Sequence, residues 1–169
     1  GFLNYVPKGG KILDAGCGSG RDASFFKENG YDVVAIDSSC EMVKISSSII
    51  GSPTLHLSFQ EIVFTNEFDG IWACASLLHV PNKELLSVFK KIFSALKPGG
   101  VLFFSFKYGN TEVIRPSGRL FNSHNKSSIR EILNQIPGFE EITLYLSLDH
   151  DYLTSKQPIW LNGLFRKRK

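Results

Sequence analysis

No apolar run in these 169 residues approaches the roughly 18–20 that a membrane-spanning helix needs. Cysteine is scarce and scattered. Cys17, Cys40 and Cys74 form no CxxC or CxxxC pair, which argues against zinc, and an odd count argues against a disulfide framework. Spacing alone pairs none of them with a histidine as a catalytic thiol. Internal repeats and low-complexity segments are absent. Neither sign of charge dominates: the net is +3, and Arg166-Lys167-Arg168-Lys169 account for more than all of it. That run reads either as a solvated tail capping the last strand or as a phosphate or RNA contact, and no interleaved aromatics support the second. The opening GFLNYVPKGG has neither a basic n-region nor a long apolar h-region. It does not read as a signal peptide, so a cytoplasmic protein is expected.

Phenylalanine is abundant, with 14 residues, and the chain is 43 % apolar and 21 % charged. Those values fit one soluble globular domain over residues 1–169 with an aromatic-rich core. Strands and helices alternate along it. Lys11 to Asp14 predicts a short buried strand, and Arg21 to Asn29 a helix closed by Gly30. Tyr31 to Ile36 is a β-branched second strand. Ser38 or Ser39 caps a helix that Gly51-Ser52-Pro53 ends, and Thr54 to Ser58 alternates as a third strand. Phe68 to Cys74 is a fourth. Leu85, Phe89, Ile92 and Leu96 recur at helical spacing before the stop Lys97-Pro98-Gly99-Gly100. Val101 to Phe106 is nearly all apolar, as a strand covered on both faces should be. Tyr108 to Asn122 reads as a long polar loop, the kind that often serves as a lid. A helix carrying Ile129, Ile132, Leu133 and Ile136 follows, then two closing strands, Phe139 to Ser147 and Ile159 to Phe165. The alternation implies βαβ units and a parallel α/β sheet with an antiparallel edge.

One stretch asks for a ligand. Asp14-Ala15-Gly16-Cys17-Gly18-Ser19-Gly20 follows the first strand and precedes a helix start. In a doubly wound sheet, ligands bind beyond the carboxyl ends of the strands. Glycines there bring bare backbone and free N–H groups to the ligand. Asp37 stands at the end of the second strand, where a carboxylate accepts two hydrogen bonds from a ribose diol. The pattern is DxGxGxG rather than GxGxxG. An acid two residues before the first glycine would repel a pyrophosphate and suits a cationic or zwitterionic ligand instead. A nucleotide-dependent oxidoreductase is thereby disfavoured.

LDAGCGSG resembles the first motif of class I S-adenosylmethionine-dependent methyltransferases. FDGIWACASLLHVP, Phe68 to Pro81, is similar to that family's fourth-strand motif, and LKPGGVLFFSF, Leu96 to Phe106, to the helix end and fifth strand after it. The resemblance covers nearly the whole chain and is strongest to the small stand-alone type 11 and tellurite-resistance-related enzymes. It implies a Rossmann-like, doubly wound seven-stranded α/β sheet of order 3-2-1-4-5-7-6, with strand 7 antiparallel. It implies S-adenosyl-L-methionine as cofactor, S-adenosyl-L-homocysteine as product, and a small-molecule acceptor; no metal, membrane or nucleic-acid partner is indicated.

Carried over by position, the backbone of Gly16, Cys17 and Gly18 would face the methionine part of the cofactor, with Gly20 completing the loop. Asp14 would orient that loop or meet the ammonium, and Asp37 would hold the ribose hydroxyls. Ser38 and Met42 would flank the adenine, although Met42 reads equally as core. Gln60 and Glu61 stand where the family often places an Asp on the adenine amino group. Cys74, Ala75 and Leu77 would lie beside the sulfonium. Positioning supplies much of the catalysis in such a displacement, and a base is needed only where the acceptor must lose a proton. Candidates are His79, Tyr108, Arg115, Arg119 and His124. His79 is named as the catalytic residue, against the alternative that it only packs and caps. Arg115 and Arg119 either bind an anionic acceptor or are solvated. His56 and His150 attract no functional reading, and Trp72 and Trp160 read as core.

Relatives usually carry a helix before the first strand that covers the cofactor. Only Gly1 to Gly10 precede that strand here, so a shortened chain or a more open pocket is expected. Two other readings stand beside the enzyme. One is a non-catalytic cofactor-binding or partner protein of the same fold. The other is an RNA methyltransferase, although ACASLLHV stands where an Asn-Pro-Pro-Tyr-like stretch would mark a nucleic-acid enzyme.

Overall fold

Short β-branched runs and amphipathic segments alternate as the sequence leads one to expect. The computed structural model describes residues 1–148 and 158–169. After a 3-10 turn at Phe2–Tyr5 come β1 (Lys11–Ala15), α1 (Arg21–Glu28), β2 (Asp32–Asp37), α2 (Cys40–Ile50), β3 (Leu55–His56) and β4 (Phe68–Ala73). Then follow α3 (Asn82–Ala95), β5 (Leu96–Tyr108), β6 (Glu112–Ile114), β7 (Leu120–His124), α4 (Lys126–Leu133), β8 (Phe139–Leu148) and β9 (Ile159–Lys167). His150 lies outside the described residues.

β3-β2-β1-β4-β5 pair in that order and all in parallel. β9 lies antiparallel to β5, from Val101↔Arg166 to Lys107↔Trp160, and β8 is antiparallel to β9. With the hairpin β6–β7 set aside, the other seven strands take the expected order 3-2-1-4-5-7-6, β8 and β9 being the sixth and seventh. Alternation along β5 divides the core. Leu102, Phe104 and Phe106 join Leu85, Phe89 and Ile92 of α3 and Ile129 and Leu133 of α4. Val101 and Phe103 point the other way, to Phe2, Val6 and Phe26. No helix among the described residues is long and apolar enough to cross a membrane.

Three expectations need correction. The segment Tyr108 to Asn122 is not an open loop but carries the hairpin β6–β7. Glu112, Val113 and Ile114 pair with Asn122, Phe121 and Leu120, and β7 also extends beside the end of β5. Gly118 makes the turn possible with φ +77, its N–H donating to the Arg115 carbonyl at 2.8 Å. β5 begins at Leu96, paired with Phe68, and Pro98-Gly99-Gly100 bulges before the ladder resumes at Gly70↔Val101. β3 shrinks to two residues. Thr54 is drawn into α2 by hydrogen bonds with Ser46 (2.8 Å) and Ser47 (2.9 Å), and Ser58 opens a 3-10 turn at Phe59–Glu61.

The basic end of the chain is engaged at home. The Lys167 ammonium donates to the carbonyls of Phe93 (2.9 Å) and Leu96 (2.8 Å) at the end of α3, where a cation is favourable. Arg168 pairs with Glu140 at 2.7 Å, and Arg166 lies over the Tyr5 ring.

Candidate active site

The carboxyl ends of β1, β2 and β4 open on a cavity of about 690 Å³. Its floor is the glycine loop, and the three glycines serve three purposes. Gly16 has φ +75, and a Cβ there would sit 2.5 Å from the Ser76 Cβ. Ser76 in turn donates from Oγ to the Ala15 carbonyl at 2.7 Å, which locks the end of β1 to the turn after β4. Gly18 has φ +54 with nothing within 4 Å of a built Cβ, so it presents bare backbone to the cavity. Gly20, the left-handed residue that starts α1, packs against α2; a Cβ would meet Ile50 Cγ1 at 2.9 Å.

Two carboxylates frame this loop. Asp37 accepts from the Gly18 N–H and the Ser39 N–H, each at 2.9 Å, through different oxygens. Each oxygen keeps a further acceptor site. Asp14 is 3 % exposed, and its Oδ2 has no hydrogen-bond partner. Burial, then the neighbouring Asp22, pushes its carboxyl up to about 7, against the Ala23 backbone N–H. A buried acceptor with no donor is costly unless something supplies one. Asp22 shares the cavity. Burial works to raise it, but the Arg21 guanidinium and the Trp72 indole N–H (2.8 Å) outweigh burial and hold it below the usual carboxylate range.

Beyond β4 the backbone is strained. Ala75 takes φ +50, a conformation that costs a non-glycine residue about 1–2 kcal/mol. Its N–H is held by Ser105 Oγ at 2.8 Å. Burial pushes the Cys17 thiol up to about 12, and Cys74 is raised for the same reason, so neither is a ready thiolate nucleophile. His79 lines the far end. Its Nδ1 lies 2.8 Å from the Leu120 carbonyl, which can only accept, so Nδ1 carries the proton and Nε2 a lone pair. Burial first, then Arg119 and Arg115, lower its pKa, although the Leu120 carbonyl works the other way.

Of the residues proposed from sequence, Asp14, Gly16, Cys17, Gly18, Asp37 and Ser38 line the cavity, and so do Met42, Gln60, Cys74, Ala75 and His79. Gly20 does not, for the packing reason above. Glu61 is turned back on Ser58, accepting from its N–H at 2.8 Å and its Oγ at 2.6 Å. Leu77 is wholly buried in the core. Tyr108 is exposed at the end of β5. His124 is buried under Phe106, between Ser128 Oγ (3.1 Å) and Asn82 Oδ1 (3.0 Å), and serves packing. Arg119 reaches the cavity. Sequence reasoning passed over Asp22, Ser76 and Phe59, which also line it. For Asp22 a signal existed, the acid in the first turn of α1.

Residues 2–140 match the model of a family described as a methyltransferase domain. Among curated proteins, YqeM of Bacillus subtilis, which carries a methyltransferase name, is 36 % identical over 106 residues, 59 % of this chain and 43 % of that protein. The ubiquinone biosynthesis O-methyltransferase of Xanthomonas campestris is 33 % identical over 115 residues, 61 % of this chain and 47 % of its own. The chain thus spans less than half the length of these relatives. A SAM-dependent methyltransferase of Methanosarcina mazei superposes with TM-score 0.82 at 20 % identity, covering 98 % of this chain and 96 % of that one. The 1,6-didemethyltoxoflavin-N1-methyltransferase of Burkholderia thailandensis, solved with S-adenosylhomocysteine, gives 0.80 at 20 % identity over 96 % and 72 %. These two likenesses are of fold.

Proposed function

The chain belongs to the methyltransferase-domain family, and from that premise we propose that it binds S-adenosyl-L-methionine in this cavity and methylates a small-molecule acceptor. The observation that carries the reading is Asp14: a buried carboxylate oxygen with no donor, on the wall of a cavity floored by open glycine backbone. A ligand with an ammonium supplies that donor. The rest of the cavity fits the same ligand. Asp37 keeps two acceptor sites for a ribose diol, and Ile36, Met42, Leu57 and Phe59 give an apolar wall for a purine. Gln60 donates from its amide nitrogen to Glu84 at 2.9 Å, which leaves its oxygen to accept from an adenine amino group.

When bound, the cofactor supplies a methyl group already activated on a sulfonium, and its loss leaves S-adenosyl-L-homocysteine. Asp14 and the backbone around Gly18 orient the amino-acid end, and Asp37 the ribose. Cys74 and Ala75, held by Ser105, shape the wall between the two halves of the cavity. His79 is neutral near pH 7, with Nε2 free to take the proton of an acceptor O–H or N–H as methyl transfer proceeds. The names of the relatives, a ubiquinone biosynthesis O-methyltransferase and a 2-methyl-6-phytyl-1,4-hydroquinone methyltransferase among them, support a small acceptor.

Calorimetric titration with S-adenosylmethionine, S-adenosylhomocysteine and NAD, alongside Asp37→Ala, tests this. Micromolar binding of the two sulfur ligands, absent for NAD and weakened in the variant, is expected. Failure of both sulfur ligands to bind would overturn the reading.

A further inference from the structure

Beside His79 stands a cluster that cofactor binding does not use. Arg115, Arg119 and Lys107 all gather on the ring of Phe121, the guanidinium carbons at 4.0 and 5.7 Å and the ammonium at 5.7 Å from its centroid. The same ring meets His79 edge-on at 4.7 Å. The three cations therefore stand one aromatic ring away from the imidazole with the free lone pair, and Arg119 itself lines the cavity.

Like charges collected this closely repel unless a counter-charge is present. None of the three makes an ion pair among the described residues, whereas Lys11, Arg21, Lys97, Arg130 and Arg168 all do. The hairpin's own acid, Glu112, is turned away; it accepts from the Asn82 N–H at 2.6 Å and caps α3. The base of the hairpin is pinned by that bond and by Asn122 donating to the Val80 carbonyl. Its tip is closed by the Arg115 N–H on the Arg119 carbonyl at 3.0 Å. The two arginines are thus carried on a fixed turn. A guanidinium over an aromatic face keeps its N–H donors in plane and pointing outward, in the fork that matches a carboxylate or phosphate.

We propose that Arg115, Arg119 and Lys107 form an oxyanion-binding rim, and that the methyl acceptor is a small molecule carrying a carboxylate or phosphate near its accepting group. This rests on the methyltransferase reading of the cavity. A nucleic-acid strand would need a basic stripe tracking its phosphates. Here the cations gather on one ring, with Arg119 on the cavity wall, and Arg166, Lys167 and Arg168 are engaged within the chain.

The test follows the arginine Nε–H resonances of the whole chain, loaded first with S-adenosylhomocysteine while that binding is itself recorded. Benzoate, its neutral counterpart benzamide, inorganic phosphate and a single-stranded oligonucleotide are then titrated. Benzoate and phosphate are expected to shift Arg115 and Arg119 saturably, with benzoate at least about tenfold tighter than benzamide. Arg130, paired with Glu141, is the internal control and should not follow. The Arg115→Gln/Arg119→Gln double variant should lose the saturable response. Unsaturable shifts shared with Arg130, equal affinity for benzoate and benzamide, a response to the oligonucleotide alone, or no change in the double variant would each overturn the proposal. If S-adenosylhomocysteine binds and the anions do not, only the acceptor class falls. If the anions bind and it does not, the rim is left without a role in methyl transfer and the acceptor proposal falls with the methyltransferase reading.

Discussion

The two ends of the cavity are held together in opposite ways. At the glycine-loop end, the loop after β1 and the acid ending β2 lock each other across 19 residues of sequence, Gly18 N–H to Asp37. At the His79 end, the imidazole is oriented by the Leu120 carbonyl across 41 residues, and its surroundings come from a hairpin the parallel-sheet pattern does not require. The first end is backbone geometry fixed by glycine and two carboxylates. The second is side chains carried on an added element. A fold that separates them this way can keep the glycine-loop half while the His79 half changes.

Glycine substitution sharpens that contrast most. Gly16→Ala is expected to cost about 3 kcal/mol or more, from positive φ and a Cβ driven into Ser76, and to abolish cofactor binding with it. Gly18→Ala, with open space around it, should cost only about 1 kcal/mol of stability and act on cofactor affinity instead. Denaturant melts read both, and equal losses would break the division of labour among the glycines. Next in size, His79→Ala should lower turnover by about 10²–10⁴-fold while S-adenosylhomocysteine still binds. In the wild type, activity should rise with pH with its midpoint below the usual histidine value, because burial and the two arginines lower this pKa. An unchanged turnover would make His79 a packing residue only.

Asp37→Asn should weaken S-adenosylhomocysteine by about 10–100-fold, the loss of charge-assisted hydrogen bonds, with little change at the acceptor end. Asp14 sets a smaller, pH-dependent effect. Its pKa in the free fold is raised to about 7, so the folded state holds the proton more tightly than the unfolded chain. That contribution to stability is present at low pH and is lost as pH rises through about 7. A cationic ligand lowers the same pKa. Cofactor affinity should therefore climb as pH rises toward about 7 and flatten above it, with proton release on binding at lower pH. Asp14→Asn should abolish the release, which calorimetry in buffers of different ionisation enthalpy detects. Smallest of all, Ser117→Ala at the hairpin tip should change stability by no more than about 0.5 kcal/mol. A larger loss there would show that the hairpin is part of the cooperative core.

The sequence by itself determined the glycine-loop half of the cavity. Its signals are local: a β-branched run, an acid at a strand end, glycines at a strand–helix turn, a Ser39 cap and a Gly51 stop. The seven-strand order came from the family resemblance that motifs along the chain carry. What the sequence did not carry was long-range pairing. Val113, Ile114, Leu120 and Phe121 are too few apolar residues to stand out in a polar stretch, so β6 and β7 read as loop until β5 offered an edge. The same limit separated Gln60 from Glu61: the resemblance puts both at the family's adenine position, but Glu61 closes its own turn with Ser58 while Gln60 reaches Glu84 on α3. Leu77 and His124 were drawn inward by the core around them. Only the tertiary structure could decide these, because a side chain's role there is set by which neighbours the fold brings against it, from Ser58 three residues from Glu61 to Asn82 42 residues from His124, and no local pattern encodes that choice.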